Sequence, residues 1–494
     1  MIACINFMNL STAKATGRMK EVGIRKAIGA PRKSLVLQYL GESVLMSFIS
    51  LMIAMVIVEL FLPQFNEITG KQLTLDLTAN LVISLFTIAA FTGLVAGSYP
   101  AIYLSGFNPV VVLKGRLKNS VGEKLARKGL VVFQFTLSVI LIVAVLVVYK
   151  QMEYIQTKNL GYVKDNIVYF DKEGRVAENL DAFLSEVKNI PGIVNASSIG
   201  QNIIGINSST YGLSWEGKKE GELIFFVDAG VDYDMIETLG IEMQSGRSFS
   251  RDFGADSSAI IFNEAAIDVM GLKAPIGKVV NLWGKNRQIV GVVKNFNFES
   301  LHENVKPLFF VLDPQRTMVI MARVKAGMEK ETLDRFQKFY QTYNAGFSFD
   351  YKFLDKDYQA LYSAENRVAL LSRYFAGVAI MISCLGLFGL AAFTAERRLK
   401  EIGIRKVLGA SMPEIIYLLS KELAGWVLIA NLIAWPVAYY FMNGWLHGFA
   451  YSTPMNAWMY LLAGGMAMVI ALATVSFQAI KAAAANPVDS LRYE

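Results

Sequence analysis

Histidine and cysteine are nearly missing from this sequence. Two of each occur in 494 residues, which leaves little for a thiolate or imidazole metal site and little for a histidine-assisted nucleophile. His302 and His447 lie far apart and read as surface residues. Cys4 and Cys384 both fall in apolar helical stretches and read as small core residues, not as a disulfide or as zinc ligands. The phosphate-cradling pattern Gly-x-x-x-x-Gly-Lys-Ser/Thr is also absent. Gly29-Ala30-Pro31-Arg32-Lys33-Ser34 ends in Lys-Ser but has no glycine in front of it. Asp232, Asp234, Glu237, Asp252, Asp256 and Glu264 are spaced like surface carboxylates and build no paired-carboxylate or Ser/His/Asp arrangement. The expectation is a chain that is not an enzyme, with no catalytic residue, no cofactor and no metal.

What the chain has in quantity is apolar sequence. Hydrophobic residues make up 54% and the mean hydropathy is +0.39, values that soluble domains rarely reach. Six runs, near 35–62, 79–103, 129–149, 368–394, 414–441 and 456–480, are long enough to cross a bilayer, which takes about 20 apolar residues. None has the form of a signal peptide. The net charge of +7 is concentrated in short loops beside these runs, which argues against nucleic acid. Residues 14–33 carry Lys14, Arg18, Lys20, Arg25, Lys26, Arg32 and Lys33; loops 104–128 and 395–413 are similarly basic, whereas 63–78 has only Lys71 and 442–455 has neither Lys nor Arg. The positive-inside rule then puts the basic loops and the C-terminus in the cytoplasm and 150–366 outside the membrane.

The chain repeats itself. Lys20-Glu21-Val22-Gly23-Ile24-Arg25-Lys26-Ala27-Ile28-Gly29-Ala30 returns, 380 positions later, as Lys400-Glu401-Ile402-Gly403-Ile404-Arg405-Lys406-Val407-Leu408-Gly409-Ala410. Glu42 matches Glu422 at the same offset, and Asn108-Pro109-Val110 returns as Asn486-Pro487-Val488. Each copy holds the end of one span, a basic loop, two further spans and an Asn-Pro-Val tail. Residues 1–13 align with 381–393, the second half of a span. About 13 residues make roughly 20 Å of helix, too short for about 30 Å of hydrocarbon. We therefore expect the C-terminal part of a longer parent; the alternative is a short interfacial helix.

The segment 150–366 reads as mixed α/β. Asn166–Phe170 is a strand, Arg175–Asn189 a helix stopped by Pro191-Gly192, and Val194–Ile199 a second strand. A similar unit follows late: strand Met318–Val324, helix Lys330–Tyr343 and strand Phe347–Leu354 with alternating polarity. Two strand-helix-strand units imply a split, ferredoxin-like layer. A mostly β insert, about 201–310, lies between them. It contains a hairpin of Lys278–Trp283 and Arg287–Val293 about a Gly284-Lys285-Asn286 turn, and a helix Glu264–Met270 capped by Asn263 and stopped by Gly271.

Each repeated basic segment is short and amphipathic. Ile24, Ala27 and Ile28 share a helical face with Arg25 and Lys26 beside it, and Gly29 and Gly409 are natural helix stops. Glu21–Arg25 and Glu401–Arg405 are i,i+4 pairs, worth about 0.2–0.5 kcal/mol each. One reading is a surface helix held at anionic lipid headgroups. The other, favoured because glycine, isoleucine and charge recur in the same order, is a pair of docking surfaces on one membrane face. Glu42 and Glu422 read as ordinary interfacial charges, the alternative being that they pair with the cations of the repeated segments. Trp445 and Trp458 flank a short outer loop as interfacial anchors.

The motif, the Asn-Pro-Val tail and the span-domain-span layout resemble the permease family of MacB and FtsX. Val231-Asp232-Tyr233, Leu239-Gly240-Ile241, Ser245-Gly246-Arg247-Ser248-Phe249, Phe262-Asn263-Glu264-Ala265-Ala266, Pro275-Ile276-Gly277-Lys278 and Ile289 to Phe296 are similar to that family's periplasmic core domain. The resemblance is strongest to doubled permeases, less their first outer domain and most of one span. It implies an α-helical transmembrane protein of six full spans and an N-terminal stub, with an extracytoplasmic α+β domain. It further implies that Glu21, Gly23, Ile24, Arg25, Lys26 and Gly29, with Glu401, Gly403, Ile404, Arg405, Lys406 and Gly409, couple to a separate ABC ATPase subunit that binds the ATP. The expected organisation is a first FtsX-like module at 1–128, a span at 129–149, the extracytoplasmic domain at 150–366 and a second module at 367–494. The expected function is an inner-membrane, multi-pass permease that passes ATPase-driven motion to the outer domain for export or release of a peptide, lipoprotein or other amphipathic cargo. Membrane lipids, and an extracytoplasmic adaptor or the cargo itself, are its further expected partners. The alternative is a non-transporting signal module that activates a cell-wall hydrolase or a sensor.

Overall fold

The computed structural model describes residues 2–106, 121–397 and 399–484. Both Asn-Pro-Val tails and residues 107–120 of the basic loop lie outside them. The chain divides into two compact units, one of Met1–Lys150, Asn366–Trp445 and Pro454–Glu494, the other of Gln151–Glu365 and Leu446–Thr453.

The first unit is helical. Its elements are α1 (Ile2–Ala27), α2 (Arg32–Thr69), α3 (Ala79–Ser105) and α4 (Val121–Thr157), whose last residues enter the second unit. Later in the chain the second unit holds α5 (Gly174–Glu178), α6 (Leu180–Lys188), α7 (Met235–Leu239), α8 (Glu264–Met270), α9 (Glu329–Tyr343) and α10 (Leu354–Leu361). The helical unit then resumes with α11 (Ser363–Arg397), α12 (Leu399–Val407), α13 (Met412–Leu446) and α14 (Ala457–Ala484). Six helices among the described residues are long and apolar enough to cross a membrane, and they match the six expected runs. In α4 56% of the most apolar window is buried, whereas in α2 none is. A helix that exposes Leu45, Met52, Val56 and Leu60 has no counterpart in a water-soluble unit and is suited to hydrocarbon.

Within this unit α2 and α3 approach closely at two glycines. A Cβ on Gly97 would fall 2.6 Å from Ser43 Cβ, and one on Gly93 2.7 Å from the Val44 backbone. Gly93 and Gly97 form the Gly-x-x-x-Gly pattern that brings membrane helices together. The spans also pack on buried uncharged polar groups. Ser138 Oγ of α4 meets Ser383 Oγ of α11 at 2.8 Å, and Thr136 reaches the Ala430 carbonyl of α13 at 3.4 Å.

The second unit carries a single twelve-stranded sheet. Its strands are β1 (Ile167–Asp171), β2 (Ile193–Ile199), β3 (Ser209–Thr210), β4 (Leu213–Ser214), β5 (Phe226–Val231), β6 (Met243–Gly246), β7 (Ala259–Asn263), β8 (Val279–Leu282), β9 (Lys285–Val293), β10 (Leu308–Leu312), β11 (Val319–Val324) and β12 (Lys352–Phe353). The order is β12-β1-β11-β2-β5-β10-β7-β9-β8-β4, with β3 on β5 and β6 on β9. The first four positions, all antiparallel, form the expected split ferredoxin-like layer. Its core packs Val168, Phe170, Phe183, Leu184, Phe336 and Tyr340. The insert prolongs the same sheet, joined through one residue pair, Ile199 with Val231.

Three local expectations are corrected. The single helix over 175–189 is two, α5 and α6, because Asn179 breaks it at φ −133° and ψ 57°. The strand over 347–354 pairs only at Lys352 and Phe353. The hairpin turn is Trp283-Gly284, with φ of 51° and 80° and Leu282 facing Lys285, which is the two-residue I′ geometry. The α8 cap is as expected: Asn263 Oδ1 accepts from Ala266 N at 3.0 Å, and Gly271 closes the helix at φ 65°.

Candidate functional site

The two repeated segments fold alike. The first forms the end of α1, the second all of α12. Both close in a left-handed glycine, Gly29 at φ 101° and Gly409 at φ 92°. Ala30 N donates to the Arg25 carbonyl at 3.0 Å and Ala410 N to the Arg405 carbonyl at 2.9 Å, the six-to-one bond of a Schellman stop. Over residues 21–30 and 401–410 the alternation of buried and exposed positions is identical at every residue. Gly23 and Gly403 are buried; Glu21, Arg25, Glu401 and Arg405 are exposed; Lys26 and Lys406 are half-buried.

The apolar inward contact of each copy is made by Val22 and by Ile402. Val22 packs with Leu35, Tyr39 and Ala101, and Ile402 packs with Ile415 and Ala479. The apolar face read from the sequence points outward: Ile24 and Ile404 are 50% and 51% exposed, Ile28 and Leu408 81% and 80%.

The cations are held differently in the two copies. Arg25 bonds Glu21 at 2.7 Å and Gln38 at 2.8 Å, and Gln38 in turn donates to Glu42 at 3.3 Å. Glu42 is therefore linked to Arg25 through Gln38. Arg405 bonds Glu401 at 2.8 Å, but the position matching Gln38 is Leu418 and offers no acceptor. Lys26 Nζ donates to the Ser105 carbonyl at 2.5 Å; burial, then Arg32, lowers its pKa.

The α+β unit offers a different chemistry. Two carboxylates read as surface groups are buried, Asp232 and Asp256. Arg247 grips Asp256 with both terminal nitrogens, at 2.8 and 2.6 Å, and Ser250 N donates to it at 2.8 Å. Burial raises the Asp256 pKa, but the guanidinium and the amide outweigh it and hold the carboxyl below its ordinary range. Asp232 has one oxygen without a partner, and burial raises its pKa. A cavity of about 110 Å³ lies where β2 and β5 part, lined by Gly200, Gln201, Ser208, Asp228, Arg316 and Met318. Asp228 there accepts from Ser208 at 3.0 Å and Arg316 at 3.2 Å. Among the described residues no group of histidine, cysteine and carboxylate side chains is placed to hold a metal. Cys4 and Cys384 are free thiols.

His302 is not the surface residue expected. Its ring stacks on Phe449 at 3.9 Å, Nδ1 lies 2.6 Å from the Gly448 carbonyl and Nε2 lies 3.1 Å from Glu365. No signal in the sequence joins these positions, because they come from three distant stretches of chain.

A family described as FtsX-like permease C-terminal matches residues 1–109 and 373–487, which are the two copies of the repeat. The macrolide export ATP-binding/permease protein MacB of Bdellovibrio bacteriovorus is 33% identical over 114 residues. The uncharacterized ABC transporter permease YknZ of Bacillus subtilis is 22% identical over 282 residues, 54% of this chain and 69% of YknZ. Both repeats thus match the FtsX-like permease C-terminal family, and the chain is similar to ABC permeases of the MacB and YknZ type. The match to that MacB takes 23% of this chain and 17% of the relative, so the chain spans about a sixth of that relative. The crystal structure of the periplasmic region of MacB from Actinobacillus actinomycetemcomitans aligns with 42% of this chain and 97% of that chain, at 13% identity and a TM-score of 0.30.

Proposed function

We propose that this chain is the permease subunit of an ABC transporter whose ATPase is a separate protein, docked on residues 20–30 and 400–410 from the cytoplasm. Glu21, Arg25, Glu401 and Arg405 supply charge at the rim of each surface, Ile24, Ile28, Ile404 and Leu408 the apolar centre, and Gly23, Gly29, Gly403 and Gly409 the backbone shape, with Lys26 and Lys406 beside them. Nucleotide-driven closure of the ATPase moves these segments, the spans carry the motion, and the α+β domain outside the membrane acts on export or release of a peptide, lipoprotein or other amphipathic cargo. Switching such a two-state element from 1:99 to 99:1 needs about 5.5 kcal/mol of differential binding.

The observation that carries this reading is the equal exposure of one apolar face in both copies. A lipid anchor requires cations and apolar area, but not the same exposed isoleucine and the same glycine stop twice. The test is capture of each ABC-type ATPase subunit of the source organism, co-expressed in turn, by the membrane-inserted chain. Wild type should retain one of them, and Ile28→Glu with Leu408→Glu should lose it while inserting normally. Equal retention by wild type and variant, or capture of none, overturns the reading.

A further inference from the structure

The two repeats differ on the side of the membrane unit away from the docking segments. The α13–α14 connection, Leu446–Thr453, belongs to the α+β unit. Its counterpart between α2 and α3 belongs to the helical unit and is held by its own helix. Asn66 Nδ2 donates to the Leu73 carbonyl at 2.8 Å, and Leu73 N donates to Asn66 Oδ1 at 3.0 Å. At the offset of 380 positions Asn66 falls on Leu446, which cannot make such a bracket.

In the second repeat the bracket comes from elsewhere. Gln151, on α4 and fully buried, donates to the Tyr451 carbonyl at 3.0 Å and accepts from Thr453 N at 2.8 Å. Tyr451 N donates to the Leu301 carbonyl at 3.2 Å, and Lys158 Nζ lies 4.3 Å from the Tyr451 ring centre. His302 completes the attachment. Both of its ring nitrogens face acceptors, the Gly448 carbonyl and the Glu365 carboxylate, while the ring face covers Phe449. Leu301 N donates to the Tyr362 hydroxyl at 2.7 Å, and Tyr358 donates to the Ile155 carbonyl at 3.1 Å. The connection is thus bound to α4, to the 297–306 loop and to the first turn of α11.

We infer that Gln151 and His302 are positioning residues that fix the α13–α14 connection to the α+β domain, so that motion of the second repeat is delivered to that domain and motion of the first is not delivered by an equivalent bond. The inference rests on the permease reading above. A rigid attachment suits this role because a side-chain amide that bonds two backbone groups fixes both translation and tilt of the loop.

The test uses the full chain in phosphatidylethanolamine/phosphatidylglycerol nanodiscs with its captured ATPase, read by amide hydrogen exchange. In wild type the Tyr451 and Thr453 amides are protected, and ATP with vanadate changes exchange across the α+β domain. The Gln151→Ala, His302→Gln double variant should exchange at 446–453 at least ten-fold faster. It should leave β10 and β11 protected, still capture the ATPase, and lose the nucleotide-dependent change in the domain. Asn66→Ala, which opens only the first connection, should leave that change intact. Unchanged exchange at 446–453, or a nucleotide signal that survives the double variant, overturns the inference. If wild type captures no ATPase, the delivery of motion falls with the permease reading, while the loop protection still reports whether the attachment exists.

Discussion

Single residues in the α+β domain show how the family-like run Ser245-Gly246-Arg247-Ser248-Phe249 works. It secures a buried carboxylate. Arg247 and Asp256 form a two-pronged pair with the acid almost wholly buried. Arg247→Ala would leave that charge without its partner, and breaking a buried pair from one side costs roughly 3–5 kcal/mol. The thermal midpoint of the full chain in detergent should fall accordingly. The pH dependence has a definite sign. Asp256 has a depressed folded pKa, so its stabilisation is complete above the unfolded value of about 3.9. It is lost as pH falls from there through the lower folded value. Asp256→Asn should flatten the midpoint against pH below about pH 4 and leave its slope unchanged near neutrality. Nothing in the sequence marks Asp232 or Asp256 as buried, since an acidic residue in an insert looks alike whether solvated or gripped by arginine. By contrast, the Asn263 cap and the Gly271 stop were legible, because helix ends are set by residues within one turn of each other.

Among the elements, α2 and α3 depend on two glycines for their approach. Gly97→Ala places a methyl group where Ser43 stands, and overpacking of this kind costs about 1–3 kcal/mol. A lower midpoint for Gly97→Ala, restored in part by Ser43→Gly, would locate the strain at that contact; no restoration would place it elsewhere. The six spans were readable because bilayer thickness dictates their length. The β elements were less so. Phe347, Phe349, Tyr351 and Phe353 alternate as a strand would, yet β12 spans two residues. Phe349, Tyr351 and Phe353 pack on the Phe170 and Phe336 core, which does not require a hydrogen-bonded ladder, while Phe347 is exposed. At the hairpin, a tryptophan at positive φ was not to be expected from its side chain, and the turn was therefore placed one residue late.

At the scale of the molecule, the two repeated segments are near-copies in sequence, fold and exposure. Independent sites of equal strength contribute additively. Ile28→Glu and Leu408→Glu should each weaken ATPase binding by a similar factor, on the order of ten-fold (about 1.4 kcal/mol), and together by about a hundred-fold. Titration of the ATPase onto immobilised nanodiscs would measure this, and one dominant segment would contradict it. The repeat itself made this symmetry legible. The departure from symmetry was not, since it rests on contacts between Gln151, His302 and residues near 450, which no local pattern relates.

Residues 446–453, bound through Gln151, Leu301 and His302, also bear on biosynthesis. The α+β domain is not finished when residue 365 has been made. Its last piece arrives some eighty residues later, after α11, α12 and α13 have been synthesised. Completion of the domain therefore waits on correct threading of the C-terminal spans, and a chain that misplaces them keeps an open, protease-sensitive edge at His302. Chains ended after residue 411 should be cleaved near residues 297–306 under limited proteolysis that spares the full chain. Equal cleavage of the full chain there would contradict this order of assembly.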